Sequence, residues 1–206
     1  MDLMRLLDEL RVLSQNGLRY ADNPYDEERY ERILELACEY YGEAFELPAD
    51  DVRERFEAEL GHVTPKVGAE AAVFDSTGRI LLMRRADDGT WCLPCGWVDP
   101  NESPAETAVR ETHEETGLDV TVVELVDVYH YAPSDRFGPH GRIDVLYRCV
   151  VDGGTLELSH EGEALDYREI DDVSVWHKAH ETYARDALDA SAATTTETDE
   201  PSRSSG

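Results

Sequence analysis

The stretch Gly96–Leu118 constrains this chain more than any other. It reads Gly-Trp-Val-Asp-Pro-Asn-Glu-Ser-Pro-Ala-Glu-Thr-Ala-Val-Arg-Glu-Thr-His-Glu-Glu-Thr-Gly-Leu, which predicts a glycine turn, a short loop and one helix. Ser103 is an N-cap, Pro104 suits the first helical position, and Glu106 completes a capping box three residues after the cap. Gly117 ends the helix, because glycine takes the left-handed conformation of a C′ residue without steric cost. Ala105, Ala108, Val109, Thr112 and Thr116 recur at helical spacing and form a narrow stripe suited to close packing on a sheet. Glu111, Glu114 and Glu115 fall together beside that stripe, on a face the pattern makes exposed.

Three glutamates at this spacing repel one another by ~0.2–0.5 kcal/mol per pair on an exposed helix, so a purely structural helix gains nothing from them. A hard divalent cation reverses the sign. Mg²⁺ takes oxygen ligands, keeps several waters, and is held by a few carboxylates together with substrate phosphates. In a chain with 46 acidic residues against 19 basic ones, a plain solvated acidic face is the competing reading of the cluster.

The spacing separates the two. Gly96, five residues, Glu102, seven residues, Arg110-Glu111, Thr112, one residue, Glu114-Glu115, one residue, then Gly117-Leu118 resembles the Nudix box, with every fixed position of that motif present across 23 residues. Thr112 is the soft departure, since the family usually has an aliphatic residue there. The resemblance implies an α/β/α sandwich and Mg²⁺-dependent hydrolysis of a phosphoanhydride, with Mn²⁺ as a possible substitute. It places Glu111, Glu114 and Glu115 around the metal, gives Arg110 the part of orienting them, and leaves Glu102 in support. In this family the general base is either a box glutamate or a residue from a distant loop, and Glu161 and Glu163 are the loop candidates here. A nucleotide sensor without catalysis is the alternative from another class, but this chain has kept every box carboxylate.

Net charge is −27, and the only lysines are Lys66 and Lys178. Such a charge opposes polyphosphate backbones and anionic lipid, so neither nucleic acid nor membrane is expected as a partner. Acid enrichment with lysine depletion on a foldable chain matches the proteome style of salt-loving microbes, in which concentrated salt screens self-repulsion. The start of the chain lacks a basic region followed by an apolar run, and no stretch reaches the ~20 apolar residues of a membrane span. The expected location is cytoplasmic, which suits four cysteines that make no disulfide framework.

Along the chain, residues 1–60 predict a helical module, 61–66 a linker, 67–190 the catalytic domain and 191–206 a disordered acidic tail. Leu3, Leu6, Leu7, Leu10 and Leu13 keep helical spacing up to Asn16-Gly17, which predicts a stop. Tyr30, Ile33, Leu34, Ala37, Tyr40 and Tyr41 make a second stripe, and Val52, Phe56 and Leu60 a third. Such a small block cannot bury all this apolar surface by itself, so a homodimer is expected. The block resembles the helical N-terminal module on Nudix hydrolases of linked nucleoside diphosphates, including the ADP-ribose and CDP-choline pyrophosphatases. Beyond it, Val67–Phe74 and Arg79–Arg85 predict strands joined by the turn Asp75–Gly78, followed by strands over Val120–Tyr131 and Ile143–Val151. Ala164–Ile170 predicts a short strand, and Val175–Leu188 a closing helix.

ADP-ribose is the favoured substrate. The N-terminal module points to linked diphosphates, and Pro133 lies near where ADP-ribose pyrophosphatases tend to carry a proline. CDP-choline and oxidised nucleoside triphosphates are the runners-up. Tyr129 and Tyr131 are candidates for base stacking, against the commoner role of strand aromatics in a core. Cys92-Leu93-Pro94-Cys95 has the spacing of a redox dithiol, but no helix begins beside it to lower a thiol pKa. His177 and His180 are expected on one face of the closing helix, at the surface.

Overall fold

The computed structural model describes residues 3–58 and 63–197. It divides into two compact units, Met1–Lys66 with His130–Arg142, and Val67–Tyr129 with Ile143–Gly206.

In the first unit three helices form, α1 (Leu3–Tyr20), α2 (Pro24–Phe45) and α3 (Ala49–Glu57). Asn23 caps α2 by accepting the Asp26 N–H at 3.0 Å, and Pro24 follows at the first helical position, where its missing N–H costs nothing. The helices close on Met4, Leu7, Leu34, Cys38, Tyr41, Val52 and Phe56. Two expectations fail in α1. The buried face is Met4, Leu7, Arg11 and Ser14, while Leu3, Leu6 and Leu13 stay exposed. Arg11 is tolerated inside because Asp8 holds it at 2.8 Å and its guanidinium lies 5.3 Å from the centre of the Phe56 ring. Asn16-Gly17 does not stop the helix either. A Cβ on Gly17 would fall 2.4 Å from the Tyr30 ring, so this glycine permits close approach of α1 and α2. The segment His130–Arg142 joins the same unit, where the Tyr41 hydroxyl donates to the Pro139 carbonyl at 2.9 Å.

The second unit is built on two sheets. Its strands are β1 (Lys66–Val73), β2 (Ile80–Arg85), β3 (Trp91–Cys92), β4 (Cys95–Trp97), β5 (Leu118–Tyr131), β6 (Arg142–Gly154) and β7 (Gly162–Arg168). One sheet has the order β4-β1-β6-β5 and the other β3-β2-β7. The turn at Asp75–Gly78 forms as expected and closes on the bridge Phe74↔Ile80, after which β1 and β2 part into different sheets. Along β1 the side chains alternate. Ala69, Ala71 and Val73 pack in a core with Ala108 of α4 (Pro104–Thr116) and with Leu118, Val120 and Cys149. On the alternate face the Asp144 carboxylate lies beside Gly68 and accepts the Tyr183 hydroxyl of α5 (His180–Glu197) at 2.6 Å. Helices therefore cover both faces of the four-stranded sheet, and the α/β class holds.

The closing helix starts later than its sequence pattern predicts. Val175–His177 run extended beside Trp91, whose N–H donates to the Val175 carbonyl at 3.0 Å and whose carbonyl accepts the His177 N–H at 2.9 Å. α5 then continues to Glu197, so Ser191–Glu197 are helical where the polar composition predicts disorder. Leu60 and residues 198–206 lie outside the described residues.

Candidate active site

The box helix forms as its sequence dictates. The Ser103 N–H donates to Glu106 Oε2 at 2.8 Å and the Glu106 N–H to Ser103 Oγ at 3.3 Å, which satisfies two donors that the first turn leaves open. Gly117 sits at φ +72°, and its N–H donates to the His113 carbonyl at 2.8 Å.

Arg110 gathers the carboxylates. Its Nε and Nη2 each donate to Glu102 at 2.9 Å, its Nη1 to Glu111 Oε1 at 2.8 Å and to Glu114 Oε2 at 3.1 Å. Glu102 also accepts the Thr107 hydroxyl at 2.6 Å, and the Arg110 guanidinium with this hydroxyl holds its carboxyl down at about 2. Glu111 lies over the glycine turn, where a Cβ on Gly96 would fall 1.9 Å from its Oε1. That turn is fixed by β4, which pairs with β1 through Ala69↔Gly96 and Glu70↔Cys95.

Glu115 overturns the expectation of an exposed face. Its residue is 5% exposed, and its Oε2 accepts the Cys95 N–H at 3.0 Å. Burial pushes its carboxyl up to about 8 in spite of that hydrogen bond, and the charges of Glu111 and Glu161 add to the rise. Glu111 is raised too, first by burial and then by its acidic neighbours, Glu161 among them. Of the two loop candidates, Glu161 bears on both box glutamates. Glu163 faces Arg84 at 3.5 Å on the surface.

Sequence reasoning missed Glu70. It is 2% exposed on β1, opposite Cys95 in the ladder. The available signal was an acidic residue inside the apolar run Val67–Val73, on the face alternate to Ala69 and Ala71. Cys92 and Cys95 are both free thiols, and Cys95 has the opposite of redox character: a hydrogen bond with Cys92, burial and the charges of Glu115 and Glu70 push its thiol up. The histidine expectation is corrected. His177 precedes α5, and His180 is buried, its Nδ1 accepting the Leu93 N–H at 3.1 Å. Tyr129 gives its hydroxyl to Asp186 at 2.6 Å and lies against Tyr183 with ring centres 4.6 Å apart. In the first unit, Tyr131 stacks on Phe137 at 4.0 Å, and Pro133 is buried.

Among the described residues no three His, Cys, Asp or Glu side chains are already drawn together as a metal cage. The donor set nevertheless suits a hard cation: two carboxyls raised by burial and by acidic neighbours stand one helical turn apart, and a divalent charge relieves both.

Comparison with known proteins agrees with this geometry. Residues 64–198 match the NUDIX domain, and residues 1–56 match the UDP-X-like, N-terminal oligomerisation domain. The chain belongs to the Nudix hydrolase family and is an enzyme of that class. A Bacillus subtilis protein provisionally named an ADP-ribose pyrophosphatase is 35% identical over 153 residues, covering 74% of this chain and 73% of its own. The ADP-ribose pyrophosphatase of Methanocaldococcus jannaschii is 28% identical over 131 residues, covering 62% and 75%. Among solved structures, an ADP-ribose pyrophosphatase from Streptococcus suis matches with TM-score 0.53 at 30% identity over 62% of this chain and 92% of that one. A UDP-X diphosphatase matches in fold with TM-score 0.58 at 22% identity over 92% and 94%.

Proposed function

We propose that the enzyme hydrolyses the phosphoanhydride of a nucleoside diphosphate linked to a second moiety, with ADP-ribose as the favoured substrate, giving AMP and ribose 5-phosphate. The observation that carries the reading is the pair Glu111 and Glu115, one laid over a glycine turn that has no room for a Cβ, the other buried against the Cys95 N–H. Glu111, Glu114 and Glu115 are the residues that would hold Mg²⁺, or Mn²⁺ in its place. When bound, such a cation neutralises the diphosphate and lowers the pKa of a water. Arg110 orients Glu111 and Glu114, and Glu102 with Thr107 fixes Arg110 in turn. Glu161 is the base that takes the proton from the attacking water. Its charge bears on Glu111 and Glu115, whereas Glu163 faces Arg84 at 3.5 Å.

Choice of ADP-ribose rests on the relatives named for it and on the N-terminal module. The exposed Leu3, Leu6 and Leu13 of α1 supply a face for a second copy of the chain, which makes a homodimer part of the same reading. The composition favours a cytoplasmic enzyme working in high salt without nucleic acid as partner. No helix among the described residues is long and apolar enough to cross a membrane. The test is a panel of ADP-ribose, CDP-choline, NADH, diadenosine polyphosphates and dNTPs in molar KCl with Mg²⁺ or Mn²⁺, ranked by kcat/KM. ADP-ribose should lead. A dNTP at the head, with pyrophosphate as product, overturns the substrate and leaves the metal site standing.

A further inference from the structure

The last carbonyls of a helix need donors from outside it. In α4 they come from an extended segment after β6. The N–H groups of Thr155, Glu157 and Ser159 donate to the carbonyls of Gly117, Thr116 and Glu115 at 3.2, 2.8 and 3.3 Å. The approach is close enough to demand two glycines face to face. A Cβ on Gly117 would fall 2.4 Å from the Thr155 carbonyl, and one on Gly154, at φ +83°, 2.3 Å from the Gly117 carbonyl.

Ser159 is the residue where this strap turns toward Glu161. While its N–H holds the Glu115 carbonyl, its Oγ accepts the Glu161 N–H at 3.3 Å and its carbonyl accepts the Gly162 N–H at 3.4 Å. From the other side the Glu161 carbonyl accepts the Ala86 N–H at 2.9 Å. Gly162 lets the turn sit flat: a Cβ there would fall 2.8 Å from Met83 Cγ and 2.7 Å from Leu158 Cδ1. Glu161 is itself exposed, so side-chain packing does not fix its place, and its backbone anchors must.

We propose that Ser159 is a positioning residue that ties the end of the box helix to Glu161, its backbone N–H on the Glu115 carbonyl and its hydroxyl oxygen on the Glu161 N–H; this rests on the reading of Glu161 given above. The hydroxyl has the Glu161 N–H as its partner, at 3.3 Å. It acts by holding the Glu161 backbone, so its loss should displace the carboxylate while substrate binding through the diphosphate is kept. Misplacement by about 1 Å is worth up to ~100-fold in rate.

The experiment measures kcat, KM and thermal unfolding of the full-length enzyme for Ser159→Ala, Ser159→Thr, Glu161→Gln and the Ser159→Ala/Glu161→Gln pair. Ser159→Ala should lower kcat about tenfold or more with KM within about twofold. Ser159→Thr, which keeps the hydroxyl, should restore most of the turnover, and the pair should lose no more than Glu161→Gln alone, because both act on one group. If Glu161→Gln is crippled but Ser159→Ala turns over normally, the positioning role is wrong and the base stands. Normal turnover in Glu161→Gln removes the base and with it this proposal. Loss of kcat in both Ser159 variants together with a falling Tm marks a merely structural serine and also overturns it.

Discussion

Replacing Glu115 by Gln separates the stability of this site from its chemistry. An ordinary glutamate titrates at 4.5, whereas burial holds Glu115 at about 8. A carboxyl raised on folding binds its proton more tightly in the native state than in the unfolded one. Stability is therefore greatest below the unfolded value and falls as pH climbs from about 4.5 toward about 8, then levels. At about 1.4 kcal/mol per pH unit, Glu115 costs the native state ~3 kcal/mol at neutral pH relative to a residue that does not titrate. Glutamine keeps an oxygen for the Cys95 N–H and removes the titration. Without divalent cation, Glu115→Gln should thus be more stable than wild type by ~2–3 kcal/mol near pH 7, converging with it near pH 4.5. Turnover should fall by orders of magnitude. Urea unfolding in EDTA and fixed high KCl, followed by tryptophan fluorescence, is the assay, since Trp91, Trp97 and Trp176 all lie in the second unit. A variant that keeps the wild-type slope between about pH 5 and about pH 8, or is less stable at the upper end, refutes the burial argument.

Gly96→Ala should abolish turnover with modest loss of stability, because the new Cβ displaces the Glu111 carboxylate; wild-type kcat in that variant would mean Glu111 is not needed where it lies. Gly154→Ala should destabilise the fold by ~2 kcal/mol or more, from a strained positive φ and the approach to the Gly117 carbonyl, and an unchanged Tm would contradict the strap geometry. Glu111→Gln should lose kcat as Glu115→Gln does but gain less stability, since Arg110 already shares its charge; equal gains would show that the ion pair contributes nothing. Light scattering in high salt should find a dimer for the full chain and a monomer for Leu13→Glu with Leu6→Glu, whose side chains are exposed on α1; a monomeric wild type removes the homodimer.

Where sequence and structure agree, the determinants are local. The capping box, the left-handed Gly117 and the Asp75–Gly78 turn are decided by residues within a few positions of one another, and each forms as its sequence predicts. Where they differ, a distant partner decides. Leu3, Leu6 and Leu13 have the right spacing for a core face, yet Arg11 takes the inside because Asp8 and the Phe56 ring accept it. Gly17 carries the composition of a helix stop and serves instead as a gap for Tyr30. His180 reads as a surface residue until the Leu93 N–H, far along the chain, turns out to be its partner. The carboxylate cluster was legible because its spacing is a motif, but the depth of Glu115 was not, since burial depends on how β4 folds over the helix.

The passage from Trp91 to Trp97 also sets a mechanical limit. Trp91-Cys92 is a strand of the three-stranded sheet and Cys95–Trp97 a strand of the four-stranded one, with Leu93 and Pro94 alone as the crossing. Three extended Cα steps reach no more than ~11 Å, and the crossing is pinned at both residues, Leu93 to His180 and Pro94 to the Ala71 N–H. There is no slack here for the two sheets to slide apart. Any shear between them would pull first on Cys95, and through its N–H on Glu115. Any closure around a substrate must therefore be taken up by other loops, and Glu115 is tied to a crossing only two residues long and pinned at both.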